Sequence, residues 1–455
     1  MDEETIIAIS TPLGFSGLGI VRLSGKRALS IAKKLFNPKK NKEIKPRYPT
    51  LGNLYNFEEK ELFDEAYLTY FPAPHTYTRE DMVEISCHGS PVILEEVVRL
   101  GLKAGARQAN PGEFTLRAYL NGRIDLLQAE AVNDLIHAPS LKQVKISFNQ
   151  IQGKLSAKAS FLRSQIIHLL ARIEAGIEFP DEDLRITVKQ TEKSLNDSIE
   201  CLEKLVKSYD LGKALSEGIS LAIIGKANVG KSTLFNALLE KERAIVTSYP
   251  GTTRDYLRET IKLGDSLFNL IDMAGMGKGH HPAEKEGIKK SRKIAAEAWG
   301  TLLVLDASRK ESSEDLSLLQ KFKDKNSLLL FNKIDLPQKM DVKKIKAQAG
   351  SFPSLEISAL KKTNLEKLKE LIPKIFLPLD QNYDHEVILH LRQKLILEEI
   401  LSHLGRTKKL IEEGYSEEVY AEEIRKILPL IGQLTGEVRS DEIIEDIFRR
   451  FCVGK

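Results

Sequence analysis

Hydrophobic and polar positions change period three times along this chain. Over residues 1–118, short β-rich runs such as 5–10 and 19–23 are broken by Gly and Pro, the pattern of an N-terminal α+β domain. Between 119 and 215 the period becomes helical. Leu162, Ile166, Leu169, Leu170, Ile173 and Ile177 share one face, as do Leu195, Ile199, Leu202 and Val206. From 216 to 378, apolar runs of strand length alternate with polar, helix-like segments, as in the βα units of a parallel sheet. From 379 to 455 the helical period returns, in Ile388, Leu391 and Leu395, in Ile424, Leu428 and Ile431, and in Ile444, Ile447, Phe448 and Phe451. Each helical block alone leaves an apolar stripe uncovered. The pattern therefore predicts one helical bundle domain with the α/β domain inserted into it.

Length and composition agree with several domains. At 455 residues the chain has room for about three. Hydrophobic residues at 42% and charged residues at 29% exclude wholesale disorder and a fibrous repeat. The net charge of +4 means that any basic surface must be local. Cys87, Cys201 and Cys452 are too few for a disulfide framework, and none forms a C-x-x-C pair. The start MDEETIIAIS lacks a basic stretch followed by an apolar core, and no apolar run approaches a membrane span of about 20 residues. The expectation is a soluble, cytoplasmic protein with no membrane association. The charge run over 39–47 reads as a solvated loop, with a phosphate-backbone contact as the alternative.

The clearest chemistry is Gly225-Lys226-Ala227-Asn228-Val229-Gly230-Lys231-Ser232, a full G-x-x-x-x-G-K-S between the apolar run 219–224 and a helix-like segment 233–239. Its glycines let backbone N–H groups face phosphate oxygens at a helix N-terminus. Lys231 supplies a cation to the β/γ-phosphates and the Ser232 hydroxyl can ligate Mg²⁺; Val229, Gly230 and Thr233 complete the nucleotide contacts. Three partners follow in order. Asp272-Met273-Ala274-Gly275 ends the apolar run 267–271, placing an Asp toward Mg²⁺ and a Gly N–H toward the γ-phosphate. Asn332-Lys333-Ile334-Asp335 ends the run 328–331, and the Asp335 carboxylate can accept both N1–H and the 2-amino group of guanine, donors adenine lacks. Ser358-Ala359 can place an N–H on the guanine O6. All four sit where an open α/β sheet binds ligands, at strand C-termini.

This block resembles the TRAFAC class of Ras-like P-loop GTPases. Ras-like members place a Gln directly after D-x-x-G to orient water; here that position is Met276. Asn228 and the stretch Thr247, Ser248, Tyr249, Pro250, Gly251, Thr252, Thr253 resemble the potassium-dependent members. The resemblance implies a K⁺ held by Asn228, Thr247, Tyr249 and Thr252, with Thr253 joining Ser232 on Mg²⁺. Such an ion neutralises developing charge as an arginine finger does.

The flanks narrow the resemblance. ETIIAISTPLGFSGLGIVRLSG, YTREDMVEISCHGSP and NPGEFTLRAYLNGRIDLLQAEAVNDLI are similar to the tRNA-modification GTPase family called MnmE or TrmE, and the end Phe451-Cys452-Val453-Gly454-Lys455 to its C-x-G-K tail. The likeness covers nearly the whole chain. It implies a folate-binding and dimerising N-terminal domain (1–118), a helical domain in two parts (119–215 and 379–455) and a GTP-binding domain (216–378). It also implies a homodimer that joins an FAD-dependent MnmG (GidA) subunit in a heterotetramer. That assembly adds an aminomethyl-type group, carboxymethylaminomethyl, to C5 of the wobble uridine of certain tRNAs, with formyl-tetrahydrofolate as one-carbon source.

By the same match Arg22, Glu80, Arg123 and Lys455 are folate ligands, with Arg123 standing where the family commonly has Lys. Glu284, three residues before Gly287-Ile288, is the catalytic acid that orients or helps deprotonate water, with Glu286 as the alternative. Cys452 is either a gap-filling buried thiol or a tail thiol available for chemistry. Gly14 to Gly19 reads as a turn shaping the folate pocket, Cys87-His88 lacks a third metal ligand, His280 and His281 read as exposed loop residues, and Trp299 as core. The competing reading is a GTP-dependent switch in ribosome or RNA assembly without modification chemistry.

Overall fold

A computed structural model describes residues 4–39, 43–178, 188–240, 258–272, 298–322, 326–350, 352–377, 387–438 and 441–455. The chain divides into two units. One comprises Met1–Ile136, Phe148–Asn196 and Ser402–Lys455, the other His137–Ser147 and Asp197–Leu401.

In the first unit, alternating sequences make the strands β1 (Ile6–Ile9), β2 (Ser16–Ser24), β3 (Phe36–Pro38), β4 (Thr50–Asn56), β5 (Glu61–Phe71), β6 (Met82–Gly89) and β7 (Arg107–Gln108). They form one sheet in the order β3-β4-β5-β6-β2-β1-β7, antiparallel except for the β1–β7 pair. The helices Ala28–Leu35 and Pro91–Lys103 bury Ile31, Leu35, Val97 and Leu100 with Val21, Leu23, Leu68, Val83 and Ile85 of the strands. Each such side chain removed from water is worth about 1.5–3 kcal/mol. A smaller cluster holds Ile6, Ala8, Met82, Ala109 and Phe114. Because side chains alternate along a strand, the residues between these core positions face the other way.

Helices from both sides of the α/β segment also lie in this unit. Lys154–Glu178 packs against Glu417–Arg425 and Ile427–Thr435, burying Leu162, Ile166, Leu169, Leu170 and Ile173 as their spacing predicts. The α/β segment is therefore an insertion within a helical domain. One predicted stripe is out of phase. Ile388 is buried but precedes the helix Leu391–Glu412, whose Leu391 and Leu395 are 54% and 55% exposed. The buried face is Ile396, Leu397, Ile400 and Leu404. A helical phase counted from a residue outside the helix lands on the wrong side of it.

The second unit carries β8 (Ile219–Ile224), β9 (Arg258–Leu263), β10 (Ser266–Asp272), β11 (Gly300–Asp306), β12 (Ser327–Asn332) and β13 (Ser354–Glu356), in the order β13-β12-β11-β8-β10-β9. All pairs are parallel except β9–β10. Every residue of β11 and β12 is buried, as a sheet covered on both faces requires. Helices Lys231–Leu239 and Leu365–Phe376 pack into one core cluster, and Ser313–Lys321 and Val342–Ala349 contribute to another. Trp299 packs against the first cluster and donates Nε1–H to the Phe376 carbonyl at 2.8 Å.

Candidate functional site

The loop after β8 is built for close approach. Gly225 and Gly230 have φ of +159° and +101°, and Gly230 caps the helix that begins at Lys231. A Cβ at Gly225 would stand 2.4 Å from the Val304 carbonyl oxygen, and one at Gly230 2.2 Å from Asn332 Nδ2. Only glycine fits either place. Lys231 is buried, and its ammonium spans the loop to the carbonyls of Gly225 (2.9 Å) and Lys226 (2.6 Å). Ser232 and Thr233 are exposed on the first helical turn, beside N–H groups that the helix itself cannot satisfy. Asn228 is exposed in the left-handed region, φ +63°. This cradle fits a phosphate chain, and the Ser232 hydroxyl is a hard oxygen donor of the kind Mg²⁺ takes.

The segments 332–335 and 358–359, predicted to read guanine, are tied to the loop by direct bonds from Asn332 and Lys333. Asn332 donates Nδ2–H to the Val229 carbonyl (2.8 Å) and accepts from the Ala359 N–H (2.9 Å), tying three segments together. Lys333, at φ +68°, donates to the Asn228 carbonyl and to Asp306 Oδ2, both at 2.7 Å. The Ser358 hydroxyl donates to Asp335 Oδ1 at 2.6 Å and so orients an exposed carboxylate. Asp306 was not singled out from sequence. Burial alone would raise its pKa, but the Lys333 ammonium and the Ser308 hydroxyl and N–H hold it below the usual carboxylate range. Its signal is an acid closing a wholly buried apolar strand, whereas Asp335 stands three residues beyond the end of β12. Lys226 pairs with Asp315 Oδ2 at 2.7 Å and also bonds Ser312, so the loop is anchored to the capping box of the helix Ser313–Lys321.

The remaining nucleotide positions are only partly in view. Asp272 ends β10 as predicted. Its side chain, together with Met273, Ala274, Gly275, Thr247, Ser248, Tyr249, Pro250, Gly251, Thr252, Thr253, His280, His281, Glu284 and Glu286, lies outside the described residues.

A second constellation lies in the first unit. Arg22 on β2 and Glu84 on β6 are direct cross-strand partners, flanked by Val21, Leu23, Val83 and Ile85 that point into the core. Both guanidinium bonds, Nε at 3.0 Å and Nη2 at 2.7 Å, go to Glu84 Oε1. Glu84 lines a cavity of about 520 Å³ with Phe71, Tyr77, Met82 and Arg123. Arg123 stacks over the Tyr77 ring at 4.7 Å and donates to the Tyr77 carbonyl at 3.0 Å.

The C-terminal tail is docked beside this pair. Val453 bridges Pro111, the Phe114 N–H donates to the Lys455 carbonyl at 3.2 Å, and the Ser10 hydroxyl donates to Gly454 O at 3.3 Å. Burial and the Arg22 charge lower the Lys455 pKa, opposed by the Cys452 and Glu84 charges. Cys452 is exposed, so the gap-filling reading of this thiol does not hold. Cys87 is the buried thiol instead, pushed up to about 12 mainly by burial. Its neighbour His88 pairs with Asp64 at 2.6 Å, and no group of metal-ligating side chains occurs among the described residues.

Glu80 is placed elsewhere. Its carboxylate accepts from Arg117 (2.9 Å) and Ser24 (2.8 Å) and lines a separate cavity of about 730 Å³ with Arg107, Glu113 and Arg117. The residue that shares a cavity with Arg123 and a salt bridge with Arg22 is Glu84. Strand alternation carried the signal: V-R-L and V-E-I each put one charged residue between two core residues.

Comparison with known proteins matches the sequence of both units to one family. A family model described as GTP-binding protein TrmE N-terminus matches residues 5–123, and one described as MnmE helical domain matches 126–452. The chain belongs to the MnmE family of tRNA modification GTPases. The protein named tRNA modification GTPase MnmE from Aquifex aeolicus (strain VF5) is 41% identical over 456 residues, covering 100% of both chains. That of Thermoanaerobacter sp. (strain X514) is 41% identical over 457 residues, covering 99% of each. That of Lactococcus lactis subsp. lactis (strain IL1403) is 41% identical over 99% of this chain and 98% of its own. Family membership thus spans the nucleotide loop, the Arg22–Glu84 pair and the docked tail. Among the described residues no helix is long and apolar enough to cross a membrane.

Proposed function

We propose that this family member couples GTP hydrolysis to a one-carbon transfer onto the wobble uridine of certain tRNAs, forming the carboxymethylaminomethyl-type group with an FAD-dependent MnmG subunit. It acts in the cytoplasm as a homodimer through residues 1–118, with helical parts 119–215 and 379–455 around a GTP-binding domain at 216–378. The observation that carries this reading is the pairing of a guanine-nucleotide cradle in one unit with an acid–guanidinium pair and docked C-terminal tail in the other.

In the nucleotide site the loop 228–233 holds the phosphates, Asp335 takes the guanine donors and Ala359 its O6. Lys333, fixed by Asp306, braces the loop carbonyl of Asn228 against movement. Ser232 and Thr233 present their hydroxyls and N–H groups at the positive end of the helix. Mg²⁺, on Ser232 and Thr253, and K⁺, on Asn228, Thr247, Tyr249 and Thr252, would supply positive charge toward the phosphates when bound. Glu284 positions the attacking water, with Asp272 at the end of β10 and Gly275, three residues on in sequence, contributing.

In the other site Glu84, with Oε2 left over after Arg22 takes Oε1, accepts the donor edge of a pterin. Arg22 fixes the direction of that carboxylate, Arg123 meets the acidic end, and Lys455 and the Cys452 thiol approach from the tail. Formyl-tetrahydrofolate would supply a one-carbon unit there.

The test has two parts. GTP turnover in K⁺ is expected to exceed that in Na⁺ by about a hundredfold or more, the loss typical of removing one fixed charge-stabilising group. Equal rates would end the potassium assignment. Nucleosides of tRNA from cells lacking the protein should lose the C5-substituted wobble uridine; an unchanged nucleoside profile would favour a GTP switch without modification chemistry.

A further inference from the structure

The cavity that Glu84 lines has a second, unassigned feature. Three arginines line it, Arg47, Arg79 and Arg123, of which Arg79 also borders the neighbouring cavity. Each spends one N–H on a backbone carbonyl: Arg47 on His75 (2.8 Å), Arg79 on Asn121 (2.9 Å) and Arg123 on Tyr77 (3.0 Å). Among the described residues none of the three is paired with a carboxylate. The other two arginines of the neighbouring cavity differ, since Arg107 and Arg117 are bound to Glu4, Glu80 and Glu113. Among the described residues the only acid lining the first cavity is Glu84, already neutralised by Arg22. Anchored, unpaired guanidiniums keep their remaining forked donors for planar anions, and carboxylates match that geometry.

We propose that this arginine rim binds the glutamyl chain of the folate and selects folates that carry more than one glutamate. The inference rests on the folate reading above and deepens it. The count decides the length. A folate with a single glutamate offers two carboxylates, and each further γ-linked glutamate adds one, so three guanidiniums are matched only from the second glutamate onward. An RNA phosphate chain fits the cavity less well, because the same wall presents Glu84 and the apolar Phe71, Pro74 and Met82.

The test is titration of the full-length protein with 5-formyltetrahydrofolate as monoglutamate and as triglutamate, at one fixed salt concentration. The triglutamate is expected to bind about tenfold tighter, the equivalent of one additional charge-assisted pair. The double variant Arg47→Ala with Arg79→Ala should bring that ratio close to one, and Arg47→Lys with Arg79→Lys should restore part of it. A ratio near one in the unaltered protein overturns the inference while leaving the folate site standing. Failure of both folates to bind overturns both readings. A preserved ratio in the double variant, with lost affinity for a tRNA transcript, assigns the rim to RNA phosphates instead.

Discussion

Glu113 shows what a single side chain must satisfy here. It is buried, and burial by itself would raise its pKa. Arg107 at 2.5 Å, the Asn110 N–H at 2.8 Å and Arg117 at 3.0 Å outweigh that cost and hold the carboxyl below its ordinary range. A depressed carboxylate adds stability that is complete above the unfolded pKa and disappears as pH falls through the folded one. Glu113→Gln should therefore lower the stability of its unit by about 2–4 kcal/mol at pH 7, since two guanidiniums lose their charged partner. At pH 3 the gap should shrink, because the native carboxylate is protonating as well. Urea midpoints at the two pH values measure it; a gap independent of pH would show that the charge contributes nothing. Glu80 and Glu84 make a related point. Four residues apart in one acidic stretch, they differ in role because one joins the Arg117 network and the other faces Arg22 across two strands.

At the scale of elements, the C-terminal tail is held by short-range fit. Gly112, with φ +69°, starts the helix Glu113–Leu120, and a Cβ there would meet the Phe448 carbonyl at 2.7 Å. Gly454, with φ +93°, lies so close that a Cβ would stand 2.1 Å from the Ile9 carbonyl. Phe448 and Phe451 anchor the preceding helix against Tyr119 and Leu126. Gly454→Ala is thus expected to lift the tail without unfolding the helix Asp441–Arg449, through both the close contact and the left-handed backbone. Carboxypeptidase should release Lys455 several-fold faster, and folate affinity should fall by about tenfold as one charged contact is lost. Release at the unaltered rate would mean the tail is already free in solution. Elements were also where periodicity erred. Leu391 and Leu395 belong to the predicted helix but face solvent, because its phase is set by the face carrying Ile396, Ile400 and Leu404.

For the whole molecule, the two proposed ligand sites, one in each unit, predict separable responses to ligands. GDP at a hundred times its Kd should stabilise the unit with the loop 225–232 by about 2.7 kcal/mol, and formyl-tetrahydrofolate should do the same for the unit with Arg22 and Glu84. Calorimetry with each ligand alone reads this directly; one transition moved equally by both would reject the division of sites. The nucleotide segments were legible in the sequence because each is a short contiguous stretch at the end of an apolar strand, where chain order alone brings ligand-binding groups to one sheet edge. The insertion was legible too, since an amphipathic stripe demands a partner and the matching stripe stood on the far side of the α/β segment. The second site was not readable in that way. Arg22, Glu84, Arg123 and Lys455 are separated by tens to hundreds of positions, and no spacing links them. Strand register set Arg22 opposite Glu84, and docking of the tail brought Lys455 to them. Local chemistry is written in neighbouring residues, whereas a site assembled across strands and termini exists only once the core has chosen which faces meet.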